Sequence, residues 1–405
     1  MPAHSGCARK RVERPRHEVA DIFRAHGEEY RATHVLTPQQ RQVMRDIETC
    51  RTAVLGGHLE VCLDCGDETQ AYNSCNNRHC PKCQALAQAR WLAKRQRRIL
   101  PTAYFHVVFT LPAELRPLAR RNPKRLYGLM FQAASQTLLT LGRDPQRLGA
   151  LIGITAVLHT WRRDLGFHPH IHCIVTGGGL ALDGERWIEG NAEYLFPRKV
   201  MASLFRGKLL DGITRAHQRD PLLLTDDLDR PGAFEQMRSK LYSTDWQVYA
   251  KRPFAGAQQV FDYLGRYTHR VGLSNRRILE HTADRVTIAT RGDGTASMHP
   301  HEFIRRFLMH VVPKGFVKIR HYGLLASSNV NTKLVVARRL LGVDDCDQED
   351  EAPEELNDWH ELMLAITGID VRACPVCGST RRIRIPLAEE GAYPEPEPIV
   401  SCRSP

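Results

Sequence analysis

Cys62-Leu-Asp-Cys65 and Cys80-Pro-Lys-Cys83, separated by fourteen residues, constrain the folding of this chain more than any other feature. Each Cys-x-x-Cys turn offers two thiolates, and two such turns suit one tetrahedral ion, so the spacing predicts a zinc site built from Cys62, Cys65, Cys80 and Cys83. The stretch around them, Gly56 to Gln84, is dominated by Cys, Gly and Asn and holds too few large apolar residues to fold unaided, as expected of a metal-nucleated module. Cys75, His79 and His58 lie close enough to compete as ligands. Cys374-Pro-Val-Cys377 forms half a site of the same kind, with Cys402 or His360 as residues to complete it. Six of the twelve cysteines thus fall in Cys-x-x-Cys pairs, and Met1 to Arg16 is basic with no apolar stretch after it. The expectation is metal binding in the cytoplasm rather than disulfides.

A net charge of +12 and a pI near 9.2 call for a polyanionic partner. No window approaches the roughly 18 uncharged apolar residues that a spanning helix needs, so nucleic acid is favoured over membrane. Arg78, Lys82, Arg90, Lys94, Arg95, Arg97 and Arg98 flank the cysteine module at a density that suits phosphate contacts. Asp344 to Glu355 reads as an acidic, solvated linker.

The periodicity predicts helices over His17–Glu29, from Thr37-Pro38 onward, over Ala85–Leu100, within Leu204–Leu241 and over Ala257–Val271. Thr37 can cap the second of these, Pro38 suits its first turn, and Gln40 can bond back to the cap. Strands are predicted over Tyr104–Leu111, Ile152–Leu158, His170–Thr176, Arg285–Thr290 and Phe316–Tyr322, with Gly177-Gly178-Gly179 and Asp183-Gly184 marking a turn.

Two segments carry the chemistry. In His168-Pro-His170-Ile-His172 the strand period of two puts His170 and His172 on one face, where two imidazoles begin a divalent-metal site with positions left for substrate oxygens. His159, at the end of the preceding strand, is the chosen third ligand, and His168 is its competitor. In Asp262-Tyr263-Leu-Gly-Arg-Tyr267-Thr-His-Arg270, Tyr263 and Tyr267 stand one helical turn apart beside Arg266 and Arg270, which can steady a phosphate. Together the parts describe phosphodiester chemistry in which a tyrosine hydroxyl attacks in line and retains the phosphate as a covalent link. No nucleotide-binding Gly-x-x-x-x-Gly-Lys-[Ser/Thr] loop occurs.

These residues resemble the two-tyrosine HUH transposases of rolling-circle insertion sequences, the insertion-sequence-91 type. The likeness spans most of the chain: Tyr72-Asn-Ser-Cys75-Asn-Asn-Arg78-His79-Cys80-Pro-Lys-Cys83-Gln84, Phe105-His-Val-Val-Phe109-Thr110-Leu111-Pro112, His170-Ile171-His172, Tyr263-Leu-Gly-Arg-Tyr267-Thr-His-Arg270 and Arg320-His321-Tyr322-Gly323-Leu324. The resemblance implies an α+β fold with an antiparallel HUH sheet and packed helices, preceded by a small zinc-binding domain. It also implies a catalytic Mg²⁺ or Mn²⁺ and a 5′-phosphotyrosine intermediate on single-stranded transposon ends and target. Unwinding would fall to host replication or helicase machinery, on the bacterial nucleoid. The expected organisation is a basic helical region (1–55), a zinc-binding DNA-recognition domain (56–100), a catalytic domain with the two-tyrosine helix (101–290), its C-terminal part (291–343), and an acidic linker with a Cys-x-x-Cys tail (344–405). Rival readings are an HUH replication initiator or relaxase, and a zinc-finger DNA-binding regulator without cleavage.

Overall fold

A computed structural model describes residues 15–83, 88, 91, 98–251, 259, 272–343, 360, 361, 363, 364 and 370–387. The first elements are helices α1 (Val19–Thr33) and α2 (Pro38–Thr49). The Gln40 amide donates to Thr37 Oγ1 at 3.2 Å, and the Thr37 amide donates to Gln40 Oε1 at 3.0 Å, the reciprocal cap that the sequence predicts. After them come β1 (Gly57–Cys62) and β2 (Glu68–Tyr72), an antiparallel pair within the cysteine-rich stretch.

The central sheet begins with β3 (Tyr104–Thr110), followed by helices α3 (Arg116–Arg121) and α4 (Pro123–Arg143). A long hairpin, β4 (Ala150–Trp161) and β5 (Phe167–Ala181), comes next, then the short β6 (Trp187–Glu189). Helices α5 (Arg198–Arg219) and α6 (Ala233–Ser243) lead to β7 (Val248–Ala250). The chain continues through β8 (Ile278–His281), β9 (Val286–Ala289), β10 (Thr295–Met298), helix α7 (Pro300–Leu308), β11 (Ile319–Gly323) and helix α8 (Lys333–Leu340). It closes with β12 (Arg382–Leu387).

The strand order β11-β4-β5-β3-β7, with β6 against β5, is antiparallel at every described pairing. This is an α+β fold. Nearly every residue of β4 is buried because both faces are covered. Ile152, Ile154, Ala156 and Leu158 share a core with Phe131 of α4 and Phe205 and Leu209 of α5, whereas Leu151 and Leu180 share another with Leu334 and Ala337 of α8. A third core joins α1, α2 and α7 to β8 and β9, with Phe23 and Phe307 in edge-to-face contact at 5.3 Å.

Two expectations change. Gly177–Gly179 does not form the turn; it lies inside β5, and the turn is made by Asp183 and Gly184, whose φ is +83°. The glycines are there because neighbouring backbone comes too close for a side chain. A Cβ on Gly178 would stand 2.6 Å from the Ile188 carbonyl oxygen, and one on Gly179 2.8 Å from that of Leu151. The Cys-x-x-Cys tail is likewise not separate from the N-terminal module, because β12 pairs with β1 across six residue pairs to form the sheet β12-β1-β2.

Candidate functional site

The β4–β5 hairpin sets three histidines side by side. His159 and His170 are direct cross-strand partners, and His172, two residues along β5, points to the same face opposite Val157. The candidate ligand atoms of His159, His170 and His172 lie within 4.8 Å of one another, with ring centroids 4.3–5.5 Å apart. His168 lies beside the cluster, its ring 5.3 Å from that of His170, but is not one of the three; its Nδ1 is 2.9 Å from an Arg116 guanidinium nitrogen. Trp161 stacks on His159 at 4.7 Å.

Neighbouring groups orient the rings. His170 Nδ1 donates to the His168 carbonyl at 2.6 Å, leaving Nε2 as the lone-pair nitrogen. His172 Nδ1 meets Nε2 of His106 at 2.8 Å, the two rings nearly parallel. His106 lies on β3, diagonally across from His172, and was not anticipated as a site residue. Its signal was a polar residue in the otherwise apolar Tyr-Phe-His-Val-Val-Phe run. Burial holds His106 down to about 3 and His170 to about 4, and holds His172 well below the ordinary value, in that case with help from neighbouring imidazoles. All three are therefore neutral near pH 7, the form that ligates a metal.

Tyr263, Tyr267, Arg266 and Arg270 lie outside the described residues. The residues bordering that stretch do border the histidines. The Lys251 amide donates to the His106 carbonyl at 3.0 Å, and Gly272 abuts the Trp161 ring so closely that a Cβ there would stand 2.6 Å from Cγ.

The cysteines group differently from the sequence expectation. Cys62 and Cys65 do not join Cys80 and Cys83. Cys80 and Cys83 cluster with Cys50 and Cys75, whereas Cys62 and Cys65 cluster with Cys374 and Cys377, each set having its sulfurs within 4.8 Å. The reason is topological: β1 and β2 carry the first turn away from the second, toward the returning β12. Cys50 follows directly on α2, a lone cysteine with no pairing signal, and was missed. In its cluster the Cys83 and Cys50 thiols are driven down and Cys80 and Cys75 up, in each case chiefly by a neighbouring cysteine, as when crowded sulfurs oppose one another's ionisation. A divalent cation lets all four ionise.

His79 and His58 are not ligands of either set. The Val312 amide donates to His79 Nε2 at 3.2 Å, and His58 pairs with Glu60 at 3.3 Å. Two of the basic residues expected to meet phosphate are also engaged internally. Arg78 donates to the Phe316 carbonyl at 2.7 Å, and Lys82 pairs with Glu18. Arg90, Lys94, Arg95 and Arg97 lie outside the described residues. No helix among the described residues is long and apolar enough to cross a membrane.

Residues 153–333 match a family described as putative transposase, and residues 22–111 match one described as transposase zinc-binding domain. Putative transposase y4qJ of Sinorhizobium fredii is 45% identical over 381 residues, which cover 91% of this chain and 95% of that protein. The transposase for insertion sequence element IS801 of Pseudomonas savastanoi pv. phaseolicola is 26% identical over 313 residues, covering 70% and 72%. No solved structure matches the chain.

Proposed function

This chain belongs to the insertion-sequence-91 type of transposases, a family of DNA-cleaving enzymes, and on that premise we propose that it cuts and rejoins single-stranded DNA through a phosphotyrosine link, in the rolling-circle manner. The observation that carries this reading is the cluster of His159, His170 and His172 on one face of the β4–β5 hairpin. The attachment of Lys251 to His106 and of Gly272 to Trp161, at either end of the tyrosine-bearing stretch, supports it.

A divalent ion, Mg²⁺ or Mn²⁺, held by the three imidazoles would supply Lewis acidity at the scissile phosphate. An imidazole set would suit hard Mg²⁺ less than Mn²⁺, so Mn²⁺ should support cleavage at lower concentration. His106 and the His168 carbonyl hold the ligand rings in place. Tyr263 or Tyr267 attacks the phosphorus in line. The tyrosine O–P bond forms as the bond to the 3′ oxygen breaks, the phenol gives up its proton, and the departing 3′ oxygen takes one up. The phosphoester bond is retained, so a 3′ hydroxyl can reverse the step without a nucleotide cofactor, and the second tyrosine permits a second cut before the first link is resolved. Arg266 and Arg270 offset phosphate charge. Strand separation is left to host replication or helicase machinery.

The test is to incubate the protein with single-stranded oligonucleotides from the ends of its own element and Mg²⁺ or Mn²⁺, mapping covalent DNA–peptide adducts by mass spectrometry. An adduct on Tyr263 or Tyr267 is expected, lost in the matching Tyr→Phe variant and in His170→Ala. Binding with no adduct would overturn the reading in favour of a DNA-binding regulator, and cleavage at the normal rate by His170→Ala would overturn the metal assignment.

A further inference from the structure

We propose that Cys62, Cys65, Cys374 and Cys377 form a second structural zinc site, which clasps the C-terminal segment of the chain onto its N-terminal zinc-binding region. The two half-sites lie 309 and 315 residues apart along the chain by their closest pairs, yet Cys65–Cys374 and Cys62–Cys377 sulfurs are both 3.6 Å apart. A Zn–S bond of about 2.3 Å in a tetrahedron sets the sulfur–sulfur edge at about 3.8 Å. The Cys50, Cys75, Cys80 and Cys83 set falls within the matched transposase zinc-binding domain, whereas Cys374 and Cys377 fall outside both matched families.

The two half-sites are the same turn built twice. In Cys62-Leu-Asp-Cys65-Gly66 the Gly66 amide donates to the Cys62 carbonyl at 2.9 Å, and the Cys62 amide donates to the Asp67 carbonyl at 2.9 Å. In Cys374-Pro-Val-Cys377-Gly378 the corresponding bonds are Gly378 to Cys374 at 2.9 Å and Cys374 to Ser379 at 2.8 Å. Each glycine takes a positive φ, +72° and +79°, which closes the turn and aims both sulfurs the same way. Facing turns of this form are the two halves of a four-cysteine zinc ribbon.

The sheet that joins them needs such a site. No residue of β1, β2 or β12 except Cys62 is fully buried, none belongs to a hydrophobic core among the described residues, and Leu63, Val376, Ile383 and Ile385 are exposed. What holds β12 in place besides backbone pairing is polar: Arg382 and Arg384 flank Glu60 at 2.6 and 2.8 Å, and Arg381 meets Asp64 at 2.7 Å. Of these pairs only Arg382–Glu60 is mostly buried; Arg384 and Arg381 are more than half exposed and their pairs contribute little, so a sheet with no apolar core depends on its metal for order. The C-terminal Cys-x-x-Cys is thus a working part of the N-terminal region, a role independent of the cleavage chemistry proposed above.

The experiment measures zinc and thiol protection in the full-length protein. Elemental analysis should find two zinc ions per chain, one for each cysteine set, falling to one in the Cys374→Ser/Cys377→Ser variant. In the unaltered protein, Cys62, Cys65, Cys374 and Cys377 should resist alkylation together and become reactive together when a chelator is added, as read by mass spectrometry. The second measurement decides the matter if the variant does not fold. One zinc per chain with Cys374 and Cys377 freely alkylated, two zinc ions retained in the variant, or iron in place of zinc would each overturn the proposal.

Discussion

At the scale of single residues, His106 separates packing from chemistry. It is buried in β3 and touches His172 at 2.8 Å, but its own ring is not among the three that cluster for a metal. Groups that orient a ligating imidazole typically contribute a factor of roughly 10–100 to metal affinity or rate. His106→Phe preserves the ring and the burial while removing the nitrogen contact. It is expected to lower DNA cleavage by roughly 10–100-fold, with part of the loss recovered at higher Mn²⁺ and with DNA affinity unchanged. A cleavage titration against Mn²⁺ beside a binding isotherm checks this, and an unchanged rate would assign His106 to packing alone.

Among the elements, β5 shows how one strand serves both packing and site. Its first half carries His170 and His172, and its second half is a glycine run pressed between Leu151 of β4 and Trp187–Ile188 of β6. Gly178→Val puts a branched side chain where a Cβ alone would sit 2.6 Å from a backbone oxygen, which cannot move without parting β5 from β6. Overpacking of this kind costs about 1–3 kcal/mol. The thermal midpoint should therefore fall, while residues at the histidine end of the hairpin keep their hydrogen-exchange protection. The strand cores Tyr104–Thr110, Ile152–Leu158 and His170–Thr176 were legible in sequence because β-branched and aromatic runs are local signals, whereas the extension of β5 through its glycines to Ala181 was not. Helix α4, 21 residues long, and the pairing of β12 with β1 were not anticipated.

For the molecule as a whole, buried neutral histidines join the parts. His310, just beyond α7, takes a hydrogen bond from Thr160 of β4 at 3.1 Å through Nδ1 and donates Nε2–H to the Leu165 carbonyl at 2.9 Å, fastening the α1–α2–α7 core to the histidine-bearing hairpin. His79 does the same for the cysteine module by accepting the Val312 amide. Burial lowers His310 to about 4 and His79 to about 3 from 6.5. Between those values and 6.5 the unfolded chain binds protons that the folded one does not, so stability falls as pH drops through that window. For His310 alone the loss between pH 7 and pH 5 is about 2 kcal/mol. His310→Gln keeps one donor and one acceptor without a titrating ring. Its thermal midpoint should drop less over that interval than that of the unaltered protein, and equal drops would refute the linkage.

The sequence by itself determined what short-range geometry determines. The α2 cap follows from Thr37, Pro38 and Gln40, the shared face of His170 and His172 from the two-residue period of a strand, and the paired thiolates from each Cys-x-x-Cys turn. Tertiary structure decided which of those local pieces meet. A Cys-x-x-Cys turn is the same turn whichever partner it faces, so a fourteen-residue spacing suggested joining Cys62 and Cys65 to Cys80 and Cys83. The β12-β1-β2 sheet instead brings in Cys374 and Cys377 from the far end of the chain. His106 reached the site in the same way, through a strand pairing across 66 residues. Local propensity has no range over such distances; the burial and hydrogen bonding of whole sheets select those partners.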